Sequence, residues 1–334
     1  MNRSFSCYYV EKDAVGNIRG GLSRRAMSEL PAGDVLLRVL WTSLNYKDAL
    51  AARGHPGVVK RFPHVPGVDI AGTVIESRSA EFQVGQTVLA CAYDIGSGHW
   101  GGWSEYACVP AAWVMPLPTG LSAREAMILG TAGFTAAICV RALQDHAVLP
   151  DRGEVLVTGA SGGVGSVAVM LLSKLGYHVV AVSGKPSCHD RLRAWGARAV
   201  LPRADLEDDA SKPLLSGRWA GAVDTVGGRM LSAVVRQILP FGCVAACGVA
   251  GGAELPLTVY PFILRGVTLA GIDAAWYPME ARRETWARLG SDWRIEQLPE
   301  LCVETSLEYL GPEVDAILRG QIAGRVLVRV GADT

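Results

Sequence analysis

The chain has no excess of either charge: 32 Lys and Arg stand against 32 Asp and Glu in 334 residues. Nothing in that balance would hold a nucleic-acid backbone, so no nucleic-acid partner is expected, although a local basic patch stays open. There is no C-x-x-C pair. The eight cysteines, at positions 7, 91, 108, 139, 188, 243, 247 and 302, are scattered, and Cys243 and Cys247 lie in an apolar stretch without a neighbouring histidine. They read as small buried hydrophobes rather than as a zinc site. The opening MNRSFSCYYVEKD lacks the apolar run of a signal peptide. Later apolar runs are interrupted by Gly, Pro or charge before the roughly 20 residues that a membrane span requires. These absences predict a cytoplasmic protein with no membrane partner. Internal repeats and low-complexity segments are also missing.

What is present is apolar and long enough for two cores, with 50% hydrophobic residues. Residues 1 to 120 alternate short apolar runs with Gly and Pro (DVLLRVLWTSLNY, PGVDIAGTVIES, VGQTVLACAYD), the pattern of a bent, β-rich domain. From 121 to about 265, helical runs alternate with buried β-branched runs, which predicts a parallel sheet covered on both faces. The last 60 residues return to the first style, and GRVLVRV is a strand able to close the opening β-domain. The predicted class is therefore α/β, a β-rich domain plus a doubly wound parallel-sheet domain.

After the strand at Val155 come Ala160, Ser161, Gly162, Gly163, Val164 and Gly165, a dinucleotide fingerprint with alanine at its first glycine position. Gly162 lets backbone approach a pyrophosphate, Gly165 lets the next helix pack on the strand, and that helix presents free N–H groups to the diphosphate. Strand, turn, amphipathic helix and second buried strand occur in the required order. An NAD-binding unit carries an acid about 20 residues on, where it bonds the adenosine ribose. Here that place holds Ser183, Gly184 and Lys185. Serine and lysine favour a 2′-phosphate that an acid would repel, which points to NADPH. Arg203, past the third strand, could reach the same phosphate, although Lys185 and Arg203 also fit plain solvated loop charges.

Seven stretches, SLNYKDALA (43 to 51), PHVPGVDIAGTV (63 to 74), HWGGWSEY (99 to 106), LGTAGFTAA (129 to 137), TGASGGVGSVAV (158 to 169), VDTVGG (223 to 228) and AGID (270 to 273), carry a resemblance along the whole chain. It resembles the zinc-independent medium-chain dehydrogenases/reductases of the quinone-oxidoreductase type, and within them the acrylyl-CoA reductase subgroup. The resemblance implies a GroES-like catalytic domain from both chain ends (1 to 122 and 268 to 334), a Rossmann NADPH domain between them (123 to 267), and a homodimer. It further implies cofactor contacts from Tyr46, Cys247, Gly248, Phe262 and Ile272. Zinc-dependent relatives carry an early cysteine ligand and Gly-His-Glu where this chain has Gly67, Val68 and Asp69. Without that Lewis acid, reduction of an activated C=C bond fits better than alcohol oxidation.

Asn45, Tyr46, Lys47 and Asp48 form a polar cluster directly after an apolar strand, an expensive place unless it faces a cleft or caps a helix. Tyr46 is the first candidate to position the nicotinamide or donate to substrate. Asn45 could donate to the developing oxyanion, while Asn45 and Asp48 serve equally well as N-cap residues. Lys47 and Arg53 are candidates for the phosphates of coenzyme A; Lys60 and Arg61 read as a solvated basic run. The expectation is NADPH-dependent reduction of an α,β-unsaturated acyl-CoA, acrylyl-CoA to propanoyl-CoA. The alternatives are a quinone or enone reductase and a non-catalytic NADPH-binding protein.

Overall fold

The computed structural model describes residues 4–206 and 212–331. They form two compact units: 1–131 with 274–292 and 296–334, and 132–273 with 293–295. The sequence reading put the cuts at 122/123 and 267/268. The later second cut has a direct cause, because residues 268–271 pair with the preceding strand as the last member of the parallel sheet.

The first unit begins with the hairpin β1 (Ser4–Lys12) and β2 (Ile18–Ala26), then β3 (Val35–Leu44), α1 (Tyr46–Ala52), β4 (Asp69–Ser77), β5 (Thr87–Cys91), β6 (Tyr106–Val109) and β7 (Val114–Pro116). Next comes α2 (Ala123–Asp145), interrupted at Gly130, whose φ of 49° and ψ of −155° are not helical. By length and composition α2 could cross a membrane. This departs from the sequence expectation that every apolar run is too short. Its apolar window is mostly buried inside the protein, as in a core helix.

The second unit holds β8 (Glu154–Val157), α3 (Gly163–Lys174), β9 (His178–Val182), α4 (His189–Ala194), β10 (Ala199–Leu201), β11 (Trp219–Asp224), α5 (Gly228–Arg236), β12 (Ile238–Ala246), α6 (Tyr260–Arg265) and β13 (Thr268–Gly271). The chain then returns to the first unit with α7 (Met279–Leu289), β14 (Cys302–Ser306), α8 (Leu310–Leu318) and β15 (Arg325–Arg329).

The second unit's six strands are parallel in the order β10-β9-β8-β11-β12-β13. This is the dinucleotide-fold order, with its reversal between β8 and β11. The central strands read as continuous apolar runs because helices cover both faces, and Leu156, Val180, Ala222 and Val244 share one core. In the first unit the order is β14-β15-β3-β4-β5-β7, with β6 also on β3. The closing strand β15 pairs antiparallel with β3, so Val326 lies opposite Leu44 and the chain's two ends share a sheet. A core of Phe5, Tyr8, Leu44, Trp103, Leu310 and Val328 lies under that junction.

Candidate functional site

In the second unit the fingerprint turn leaves β8 through Gly159, at φ 58°. A Cβ there would strike the Thr225 side chain. Gly159 therefore makes the sharp turn that the fingerprint assigns to its first glycine, one place before Ala160; the sequence reading overlooked it. At Gly165 a Cβ would meet Ala160 Cα at 2.8 Å, so helix α3 can lie against the strand only without a side chain. Gly162 is the N-cap of α3, and the first-turn N–H groups of Gly163, Val164 and Gly165 have no helical carbonyl to bond. Asp224, buried at the end of β11, braces the turn. It accepts from Thr158 Oγ1 at 2.7 Å and from the Gly227 N–H at 2.7 Å, and burial pushes its carboxyl above the usual range.

At the end of β9, Ser183 Oγ donates to Ser161 Oγ at 3.0 Å and accepts the Lys185 N–H at 3.1 Å. Arg203 lies across Gly184: a Cβ on that glycine would meet Arg203 Nε at 2.8 Å. Burial lowers the Lys185 ammonium from its ordinary value, and repulsion from Arg203 and Arg191 adds to this, while Cys188 opposes it. Lys185 and Arg203 thus lie close in chain and space to the Ser161–Ser183 hydroxyl pair, beside a turn with free N–H groups. These residues fit a dinucleotide carrying an additional phosphate.

A hollow of about 550 Å³ opens beyond β11, β12 and β13 and is lined by Cys247, Gly248 and Ile272 with Gly227 and Gly252. Gly248 packs its backbone against Thr225, leaving no room for a side chain. Phe262 does not line this hollow. It sits in α6, half-buried and packed against the sheet core that includes Leu231 and Val244.

In the first unit, Asn45 is the N-cap of α1 and Tyr46 its first residue, 48% exposed. Beneath them lies a buried polar network. Asp69 Oδ1 accepts from the Thr131 N–H at 2.8 Å and Oγ1 at 2.7 Å; its Oδ2 accepts from Ser43 Oγ at 2.5 Å and Asn45 Nδ2 at 2.8 Å. Arg325, from β15, donates to Ile128 O at 2.8 Å, Asn45 Oδ1 at 3.0 Å and Ser43 Oγ at 2.9 Å, with Asp69 Oδ2 3.9 Å away. The positive φ of Gly130 breaks α2 here, and only glycine fits the place, because a Cβ would run into the Asp69 carboxylate and meet Arg325 Nη2 at 2.9 Å. Asp48, fully buried, accepts from the Asn45 N–H and the Val68 N–H, both at 2.8 Å. Burial, with the Asp69 charge adding to it, pushes the Asp48 carboxyl up to about 7.

Two side chains expected to be free donors have partners within this unit. Asn45 is not a free donor for an oxyanion: its amide hydrogens are shared among Asp69, Ser43 and Asp48, and its oxygen is taken by Arg325. These bonds hold it at the N-cap of α1. Arg53 is tied to Asp315 of α8, with Nε to Oδ1 at 3.1 Å, and does not line the hollow that Lys47 shares with Lys60 and Arg61. Sequence reasoning missed Ser43, Gly130, Thr131 and Arg325. The first three lie inside the quoted stretches SLNYKDALA and LGTAGFTAA, whereas Arg325 gave no local signal.

Both oxygens of Asp69, at the place of the Gly-His-Glu ligand stretch, are already engaged, so these residues do not fit a metal ion. Among the described residues no group of three His, Cys, Asp or Glu side chains could hold one.

Residues 31–119 match the model of the alcohol dehydrogenase GroES-like domain, and 163–290 match that of the zinc-binding dehydrogenases. The probable acrylyl-CoA reductase AcuI of Escherichia coli (strain K12) is 51% identical over 91% of this chain and 93% of that one. The acrylyl-CoA reductase AcuI of Ruegeria pomeroyi is 44% identical over 98% and 100%. The crystal structure of the yhdH oxidoreductase from Salmonella enterica in complex with NADP superposes with a TM-score of 0.95 at 47% identity, covering 98% of this chain and all of that one. With these matches spanning both units, the chain belongs to the medium-chain dehydrogenase/reductase family, in its zinc-independent quinone-oxidoreductase type.

Proposed function

We propose that the protein reduces the C=C bond of an α,β-unsaturated acyl-CoA, acrylyl-CoA to propanoyl-CoA, with NADPH as reductant. The observation that carries this reading is the site at the end of β9, where Ser183, Lys185 and Arg203 meet the fingerprint turn without an acid. The relatives named as acrylyl-CoA reductases supply the acceptor. NADPH, when bound, supplies the hydride that goes to the β-carbon.

The chain's part is to hold the diphosphate on Gly162, Gly163 and Val164, the 2′-phosphate on Lys185 and Arg203, and the remainder along Cys247, Gly248 and Ile272. As the β-carbon is reduced, negative charge moves to the thioester oxygen and must meet a donor already in place. Tyr46 is that donor, and Asn45, Asp69 and Arg325 fix the start of the helix that carries it. The α-carbon then takes up a proton.

The protein is proposed to act as a homodimer. β13 is the outer strand of its sheet, and the preceding α6 exposes Ile263 (67%) and Leu264 (63%), apolar area that a second copy would cover. A cytoplasmic location is proposed, in keeping with a charged cofactor and a charged thioester that do not cross membranes unaided. The test is NADPH oxidation with acryloyl-CoA, crotonyl-CoA and a simple quinone. Turnover of acryloyl-CoA is expected. Quinone turnover alone, or tight NADPH binding with no acceptor reduced, would contradict the reading.

A further inference from the structure

The first unit contains a hollow of about 400 Å³ lined by Lys47 of α1, by Lys60 and Arg61 of the segment after it, and by Asp94 and Ser97 of the loop after β5. We propose that this hollow holds the phosphate groups of the coenzyme A moiety, so that the chain recognises the nucleotide end of its thioester. The inference rests on the acyl-CoA reading above.

Lys60 and Arg61 read in the sequence as a solvated run, and both are exposed. The fold also brings them to the same concave place as Lys47, thirteen positions before Lys60, with three cations against one carboxylate. Among the described residues, no hydrogen bond or ion pair engages the side chain of Lys47, Lys60 or Arg61. Elsewhere in this unit Arg25, Arg53, Arg124, Arg283 and Arg288 each have a carboxylate partner. Three cations and one carboxylate give the hollow a net positive lining, which favours an anionic ligand.

The hollow's backbone does not compete for the ligand: the Gly57 N–H is bonded to His55 Nδ1 at 3.1 Å and the Gly98 N–H to Asp94 O at 3.0 Å. Recognition there belongs to the side-chain cations. A ligand bearing several phosphates suits this charge, and coenzyme A carries a diphosphate and a 3′-phosphate at one end of a long flexible arm. Lys47 directly follows Tyr46 on α1. One short helix thus contributes both to the thioester end, through Tyr46, and to the phosphate end, through Lys47.

The experiment compares kcat/KM for acryloyl-CoA and for acryloyl-pantetheine, which lacks the phosphates, in the unsubstituted chain and in the double variant Lys60→Ala, Arg61→Ala. Both residues are exposed, and a melting curve for each protein checks that the fold is kept. Preference for the CoA thioester is expected to fall about tenfold or more, through KM rather than kcat. Added salt should erode the same preference in the unsubstituted chain.

An unchanged preference, with both substrates affected equally or neither affected, overturns the proposal while leaving the reduction reading in place. So does inhibition by inorganic phosphate as strong as that by coenzyme A and lost in the variant, since it assigns the hollow to a free anion. No turnover of acryloyl-CoA by the unsubstituted chain overturns the reduction reading, and this proposal with it.

Discussion

Arg325 donates to Asn45 Oδ1 at 3.0 Å across 280 positions of sequence, so the last strand of the chain holds the cap of its first helix. Replacing Arg325 with Met removes the cation that faces Asp69 and leaves Asn45, Ser43 and the Ile128 carbonyl each short of a donor. The expected loss is about 3–5 kcal/mol of unfolding free energy, the range for breaking a buried ion pair by removing one partner. Denaturant unfolding of the two proteins measures it. A change within about 0.5 kcal/mol, the range of surface substitutions, would mean that the network does not hold the helix.

Asp48 makes stability depend on pH with a definite sign. Its folded carboxyl sits at about 7, above the ordinary 3.8, because burial and Asp69 disfavour the charged form. Such a group contributes stability at low pH that is lost as pH rises toward and through 7. Asp48→Asn stays neutral throughout. The stability of the variant relative to the unsubstituted chain should therefore rise between about pH 4 and 7 and level off above. Parallel curves across that window would contradict the assignment.

For the cofactor, Lys185→Glu puts a negative charge where the 2′-phosphate is proposed to sit. KM for NADPH should rise by about ten- to a hundredfold, the size of a lost charge-assisted contact, and that for NADH should change far less. Steady-state kinetics with both cofactors decides this. An equal effect on the two would make Lys185 a plain loop charge.

Tyr46 is half exposed and caps no core, so Tyr46→Phe should leave thermal stability nearly unchanged. If its hydroxyl donates to the thioester oxygen, kcat should fall about ten- to a hundredfold. A loss confined to KM for NADPH would instead make it a wall of the cofactor site.

The second unit was legible in the sequence because its signals are local. Strand, turn and helix around Gly162 follow one another, and the missing acid at Ser183 is a single position to inspect. The first unit's network was not. Asp69, Thr131 and Arg325 come from β4, α2 and β15, and only the tertiary fold brings β15 beside β3. The partners of Asn45 and Arg53 were hidden for the same reason: residue type suggested free donors, and the groups that engage them lie on distant segments. Gly159 was passed over because the fingerprint was aligned on Ala160, although the left-handed turn residue stands one place earlier.

The most direct measurement is to run the reaction with NADPH carrying deuterium at the transferable C4 position and locate the label in the product. The account predicts propanoyl-CoA one mass unit heavier, with the deuterium on the carbon β to the thioester. Label on the α-carbon, an aldehyde or alcohol product, or unlabelled propanoyl-CoA would contradict hydride delivery to the double bond.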